Sequence, residues 1–304
     1  MPKVTNAENL YEEEIFMYDY PLYRPPSEGN SLIIQATLGC SHNKCSFCNM
    51  YKSKKFTIKT LEEIKDDMNH FRTIYGHVER IFLADGDALI IKTEDLKEIL
   101  AYIKKLFPEC SRVTLYGSPK SILLKTPKEL NDLKYLGLSM IYIGVESGND
   151  EVLNDINKGV SSEDLIKAAK RVKDANILLS VTVIAGIGGR EKSKSHAIGT
   201  GEIISSMIPD YLGVLTLMVE KKTILYNKIL NKEFELLNDK EILNEIKLLI
   251  EHINVKEQVI FRCNHASNYI SLSGNLPEDK EKLLNQINYH QNTNKLKQEE
   301  DRKI

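Results

Sequence analysis

Three cysteines fall within nine residues, in the stretch Gly39-Cys40-Ser41-His42-Asn43-Lys44-Cys45-Ser46-Phe47-Cys48. Thiolates bind soft metals, and closely spaced cysteines let a short loop wrap an iron–sulfur cluster or a zinc ion. A structural zinc or a fully ligated cluster takes four protein ligands, whereas this loop supplies three. One metal position is thereby left open for a substrate or cofactor. Zinc completed by His42 is the competing arrangement. A disulfide framework does not fit, because the five cysteines of the chain are few and odd in number and these three are too closely spaced. Cys110 and Cys263 stand alone and read as buried small apolar residues.

The loop needs a scaffold, and the chain around it supplies a regular one. An apolar run at 32–38 reads as a buried strand leading into the cysteines. A helix near 60–75 follows, opened by a capping box of Thr60 and Glu63. The alternation continues with strand 79–84, a helix near 94–106, strand 112–116 and a helix begun by Thr126-Pro127. Strand 140–145, helix 161–174, strand 178–185, helix 194–207 and strand 211–217 complete the set. Near-continuous apolar strands alternating with helices predict an α/β fold with a parallel sheet covered on both sides, either open or closed into a barrel. Either way, ligands collect beyond the carboxyl ends of the strands.

Three further strand ends carry groups able to hold a ligand. Asp85-Gly86-Asp87 follows strand 79–84: the glycine permits close backbone approach and the carboxylates suit an ammonium, although a plain turn uses the same residues. Strand 140–145 ends in Glu146-Ser147-Gly148-Asn149-Asp150-Glu151-Val152-Leu153, with Asn157-Lys158-Gly159 beyond. A carboxylate there suits a pair of ribose hydroxyls, and Lys158 is either a ligand group or a surface lysine. Strand 178–185 runs into Gly186-Ile187-Gly188-Gly189-Arg190-Glu191, which lacks the glycine order of a dinucleotide fingerprint. His196 follows on the next helix. A polar group, Arg262, Asn264, His265 and Asn268, comes after a short apolar run at 258–261 and suits a loop closing over a substrate. His265 and Arg262 are the catalytic candidates, set against the ordinary structural role of a lone histidine.

These four elements together resemble the radical S-adenosylmethionine (SAM) enzymes. Cys40, Cys45 and Cys48, with Phe47 before the last, are similar to that family's cluster loop, with one residue more in the first gap than its usual Cys-x3-Cys-x2-Cys. Gly144-Val145-Glu146-Ser147-Gly148 through Lys158-Gly159 resembles the branch of oxygen-independent coproporphyrinogen oxidase and the tRNA methylthiotransferases. The resemblance implies a partial (β/α)6 TIM-type barrel, with Cys40, Cys45 and Cys48 holding a [4Fe–4S] cluster. It further implies SAM binding by Phe47, Asp85, Gly86, Asp87, Glu146, Ser147, Lys158, Gly186 and Gly188. The two aspartates would hold the amino group of SAM, Glu146 its ribose or amino-acid part, Lys158 its carboxylate, and the glycine turn its adenine. An electron donor such as flavodoxin or ferredoxin is implied as a partner. The implied chemistry is radical hydrogen abstraction from a substrate.

Composition narrows the remaining choices. With 41 Lys and Arg against 43 Asp and Glu, the net charge of −2 gives no basic footprint for nucleic acid or an anionic membrane. Lys52, Lys54, Lys55 and Lys59 read as a solvated face, or as a patch meeting an anionic substrate. No apolar run reaches the roughly 18 residues of a membrane span. The first residues have neither a signal core nor a transit character, so a cytoplasmic protein is expected. The expected organisation is an extension at 1–30, a core at 31–218, a mainly helical closing segment at 219–291 and a flexible tail at 292–304. No second cysteine cluster supports sulfur insertion, leaving hydrogen-atom chemistry on a small molecule as the leading expectation. A radical enzyme acting on RNA or protein, and a non-catalytic zinc- or iron–sulfur-binding regulatory protein, are the alternatives.

Overall fold

A computed structural model describes residues 18–303, and the first part of the expected extension lies outside them. The described chain divides into two compact units. The first comprises residues 18–43, 50–141 and 175–177, and the second comprises 44–49, 142–174 and 178–303. The 219–291 segment is therefore not separate from the rest of the second unit. The reason is packing: its helix and strand complete layers begun before residue 218, as described below.

In the first unit, β1 (Leu32–Gln35) continues after a break into β2 (Thr37–Leu38), which pairs antiparallel with β3 (Thr57–Ile58). The run at 32–38 is thus two strands. Ala36 interrupts it, donating to Ala84 O at 2.7 Å and accepting from Lys59 N at 3.1 Å. Helix α1 (Leu61–Ile74) starts at the predicted box: Thr60 Oγ1 accepts from Glu63 N at 3.2 Å and Glu63 Oε2 from Thr60 N at 2.7 Å. Strand β4 (Arg80–Ala84), helix α2 (Thr93–Leu106) and strand β5 (Arg112–Tyr116) follow, then helices α3 (Pro119–Leu124) and α4 (Pro127–Tyr135). The β1, β4 and β5 ladder is parallel, aligning Ile33 with Phe82 and Phe82 with Thr114. Its side chains Ile34, Ile81, Leu83 and Leu115 are fully buried, as expected for a parallel sheet covered on both faces. Beside it, Tyr18 donates to Ile33 O and Asp19 exchanges hydrogen bonds with Gln35, so this part of the extension lies along β1.

Strand β6 (Leu138–Glu146) begins in the first unit and ends in the second. The second unit continues with α5 (Asp150–Asp155), α6 (Ser162–Asp174), β7 (Leu178–Ala185), α7 (Gly189–Met207) and β8 (Tyr211–Thr216). Beyond them come α8 (Ile224–Leu230), α9 (Asp239–His252), β9 (Val259–Cys263), β10 (Leu272–Leu276) and α10 (Lys280–Thr293). Strands β7, β8 and β9 are parallel neighbours, and β10 closes the edge antiparallel to β9. Helix α9 packs on α7. Hence β9 and α9 extend the β/α alternation, and the segment after 218 is mainly helical with two strands added at the sheet edge.

The tail is ordered through residue 303. Arg302 is 7% exposed; its guanidinium donates to Ser267 O at 2.6 Å and Leu217 O at 2.9 Å and lies over the Tyr269 ring. A buried arginine with its donors satisfied ties 297–303 to the loop after β9.

Candidate functional site

In the first unit, Cys40 and Ser41 follow β2 and the 85–87 turn follows β4. The turn grips the start of the cysteine loop. Gly39 N donates to Asp85 Oδ2 at 2.9 Å, Gly86 N donates to Gly39 O at 3.0 Å, and Ser41 Oγ donates to Asp87 Oδ2 at 2.5 Å. Gly86 is required by space: a Cβ there would sit 3.0 Å from the Tyr51 ring and 3.2 Å from Cys40 Cβ. Gly39 itself has φ +77°, a conformation glycine adopts freely.

The two aspartates do not present open carboxylates. Asp85 is fully buried and also accepts from Lys54 Nζ at 2.9 Å and Gln35 Nε2 at 3.3 Å. Asp87 is 1% exposed and takes Ser118 Oγ at 2.8 Å besides Ser41. Burial raises the pKa of both. Their donors are internal, and both carboxylates brace the start of the cysteine loop. Of the four carboxylate oxygens of these two aspartates, Asp87 Oδ1 is buried without a hydrogen-bond partner. The lysine run also divides: Lys54 is buried on Asp85, Lys59 pairs with Asp67 at 2.5 Å, and Lys52 and Lys55 are exposed.

Residues 44–49 belong to the second unit. Ser46 is buried; its N–H donates to Ile156 O at 2.8 Å and its carbonyl accepts from Leu225 N at 2.9 Å. Asn157 Nδ2 donates to Lys44 O at 3.1 Å. The segment carrying Cys45, Phe47 and Cys48, all half-buried, is thus docked on the turn after α5 and the first turn of α8. The same turn delivers Lys158, whose Nζ is 2.8 Å from Glu146 Oε1. Glu146 ends β6 at φ +65° and is 8% exposed. Gly144 lies two residues earlier, on the same face of the strand, and a Cβ there would collide with Glu146 Oε1. The glycine therefore makes room for the carboxylate and its lysine partner.

Ser147 does not project from the turn. It is fully buried, with Oγ 2.8 Å from His196 Nδ1 and accepting from Asn149 N at 3.1 Å. His196 is fully buried on α7, and burial holds its pKa down to about 4, so it is neutral at pH 7. Gly186 opens its turn at φ +87°, and its N–H donates to Glu245 Oε1 at 2.5 Å. Gly188 caps α7, and Gly189 N returns to Gly186 O at 3.1 Å.

The loop after β9 folds onto β8: Thr216 Oγ1 donates to Asn268 Oδ1 at 2.9 Å, and Asn268 Nδ2 donates to Val214 O at 2.8 Å. His265 Nδ1 meets Ser267 Oγ at 2.9 Å, and burial lowers its pKa. Arg262 is not in this loop. It is exposed within β9, with Nη1 donating to Phe261 O and to Gly274 O at 3.2 Å on the neighbouring strand, which ties the sheet edge. The structure therefore separates the two catalytic candidates by role.

Sequence reasoning missed Lys54 and Glu245. Each is a charged residue that reads as solvated in its own segment, and each finds its buried partner at long sequence separation. Gly39, where a Cβ would sit 3.3 Å from Lys54 Cβ, and Gly186, whose N–H donates to Glu245, were the available signal.

Strand-end turns on a parallel α/β scaffold, one of them bearing three thiols with no disulfide among them, define a metallocofactor-binding protein of the α/β class. Residues 34–196 match the radical SAM superfamily profile, more than half of the sequence, and the chain belongs to that superfamily of enzymes. The heme chaperone HemW of Buchnera aphidicola (from Acyrthosiphon pisum) is 20% identical over 240 residues, 74% of this chain and 62% of that protein. A putative methylthiotransferase of Methanocaldococcus jannaschii is 22% identical over 161 residues, 51% of this chain and 35% of that one. The chain spans 62% or less of the length of the heme chaperones it matches. The crystal structure of methylornithine synthase (PylB) aligns with a TM-score of 0.51 over 84% of this chain and 72% of its own, at 17% identity. That likeness shows the fold, the TIM-like α/β fold of radical SAM proteins.

The superfamily uses a [4Fe–4S] cluster and SAM. The donor types present suit the cluster, although among the described residues no three ligating side chains stand grouped as a metal site. Three reduced thiols on one loop are a cluster donor set, and Gly86 leaves no side chain beside Cys40. Among the described residues, no helix is long and apolar enough to cross a membrane.

Proposed function

We propose that this chain binds a [4Fe–4S] cluster through Cys40, Cys45 and Cys48, binds SAM on its strand-end turns, and abstracts hydrogen from a small-molecule substrate. The observation that carries the reading is the three-thiol loop, braced by Asp85 and Asp87 at one end and by Ile156, Asn157 and Leu225 at the other. A three-thiol donor set leaves one iron for a non-protein ligand. Cys40, Cys45 and Cys48 would hold the cluster, which would supply the one-electron reduction that the superfamily's chemistry on SAM needs.

The chain's own groups do the positioning. Glu146, held by Lys158, offers an oriented carboxylate for ribose hydroxyls or the amino-acid part of SAM. The turn at Gly186 and Gly188 offers backbone that an adenine can approach closely. Phe47 and the backbone of Gly86 flank the cysteines. His265, on the loop over the end of β8, is the candidate for substrate contact. Five reduced thiols suit a reducing compartment such as the cytoplasm, and a flavodoxin- or ferredoxin-type protein would deliver the electron.

The test is anaerobic reconstitution with iron and sulfide, electron paramagnetic resonance with and without SAM, and an assay for 5′-deoxyadenosine. A cluster signal that shifts with SAM, together with deoxyadenosine, supports the reading. A colourless protein that takes up zinc instead overturns it.

A further inference from the structure

Two strand-end turns of the second unit pack around one buried polar cluster, and its carboxyl group, Glu245, lies outside residues 34–196 matched by the superfamily. The Ser147–Asn149 turn follows β6: Asn149 N donates to Ser147 Oγ, and Ser147 Oγ meets His196 Nδ1 at 2.8 Å. On the other side of the ring, His196 Nε2 packs 3.6 Å from Glu245 Oε1, beyond hydrogen-bond reach. The same oxygen accepts from Gly186 N at 2.5 Å, and Glu245 Oε2 accepts from Ser193 Oγ at 2.5 Å. Thr200 adds a second tie, accepting from Gly148 N at 2.9 Å while donating to His196 O at 2.6 Å. Gly199 packs on Gly148 closely enough that a Cβ on Gly148 would strike the Gly199 carbonyl.

Ser147 and His196 are fully buried and Glu245 is 3% exposed, so this is not a hydrolytic triad: no substrate reaches the hydroxyl. Glu245 comes from α9, beyond residues 34–196 matched by the superfamily. A buried acidic group at this place is expensive unless its acceptors are engaged, and here both oxygens are.

We propose that Glu245 and His196 are positioning residues that lock the turn beside Glu146 to the Gly186 turn, so that SAM affinity depends on a carboxyl group supplied by α9. This rests on the reading of those turns as the SAM site. The lock acts by fixing the Gly186 amide and, through His196 and Thr200, the backbone at 147–149. Loss of the acceptor leaves the buried Gly186 N–H unpaired.

The experiment uses the reconstituted full chain with Glu245→Met, which removes both acceptors at similar volume, and Glu245→Gln, which keeps one. SAM affinity is measured by equilibrium dialysis, amide exchange at 186–189 by mass spectrometry, and iron content as a control. With iron unchanged, Glu245→Met is expected to weaken SAM about tenfold or more and to speed exchange at 186–189, while Glu245→Gln stays within about threefold on both. Should Glu245→Met fail to fold, Ser193→Ala, which loosens Oε2 alone, is expected to weaken SAM about threefold and to speed the same exchange. Unchanged SAM affinity in a folded Glu245→Met, or in Ser193→Ala where only that variant folds, overturns the proposal, as does a Glu245→Gln as defective as Glu245→Met. If the wild-type chain itself binds no SAM, the SAM reading of the turns fails and the dependence proposed here with it. The exchange data then separately decide whether Glu245 locks the turn.

Discussion

Lys54 and Asp85 form a buried ion pair, Nζ to Oδ2 2.9 Å, with side chains 4% and 0% exposed. The pair stands behind the cysteine loop, because the same Oδ2 accepts the Gly39 amide. Removing one partner of a buried pair leaves an uncompensated charge and costs about 3–5 kcal/mol. Lys54→Met is therefore expected to lower unfolding stability by roughly that amount and to reduce iron uptake. Urea denaturation with iron analysis checks both, and wild-type values for the variant would remove the bracing role.

The thiols divide into two chemical groups. Cys40, Cys45 and Cys48 are half-buried on one loop, whereas burial raises the pKa of Cys110 and pushes that of Cys263 up to about 12. A buried protonated thiol is a poor metal ligand. Cys45→Ala is expected to abolish the cluster absorbance and SAM cleavage, and Cys110→Ala to leave both intact. A Cys45→Ala protein with full iron and activity would reassign the ligands.

Glu146 and Lys158 make a second pair, 2.8 Å apart, beside the turn that supports Cys45. Replacing the carboxylate by Glu146→Gln keeps the shape and removes the charge. SAM affinity is expected to fall about tenfold, in line with a charge-assisted hydrogen bond of about 1.5–3 kcal/mol, while iron content holds. Equilibrium dialysis on the reconstituted variant decides it: unchanged affinity would leave Glu146 as a partner for Lys158 alone.

What the sequence made legible was local. Thr60 with Glu63 announces its helix because a capping box closes within three residues, and Thr126-Pro127 does so because proline suits the first helical position; the box that Glu129 closes on Thr126 was found in the structure. Glu146 stood out because a carboxylate directly follows an apolar strand. The partners of such groups were hidden by distance: Lys54 reaches Asp85 across 31 positions, and Glu245 reaches Gly186 across 59. Strand β10, Leu-Ser-Gly-Asn-Leu, carries too few apolar residues to announce itself, and pairing with β9 defines it. Ser147 lies deeper than its place in the motif suggests. Its position in the motif is at the strand end, but the backbone at Glu146, φ +65°, turns it inward to His196.

The buried pair His196 and Glu245 gives the chain a specific pH response. Burial lowers His196 from 6.5 to about 4, so between those values the unfolded chain binds the proton more readily and stability rises with pH. Burial raises Glu245 from 4.5 to about 7, so over that window the folded chain holds the proton and stability falls as pH rises. From about 4.5 to 6.5 the two slopes oppose each other, and only the falling one acts from there to about 7. Glu245→Gln deletes the falling slope, so its stability is expected to climb with pH through the His196 window, relative to wild type. His196→Asn deletes the rising slope and should show the reverse, a steady loss from about 4.5 to 7 relative to wild type. Urea midpoints at half-unit pH steps on the three proteins measure this. If both variants kept the wild-type profile, neither group would be titrating in the folded chain as its burial requires.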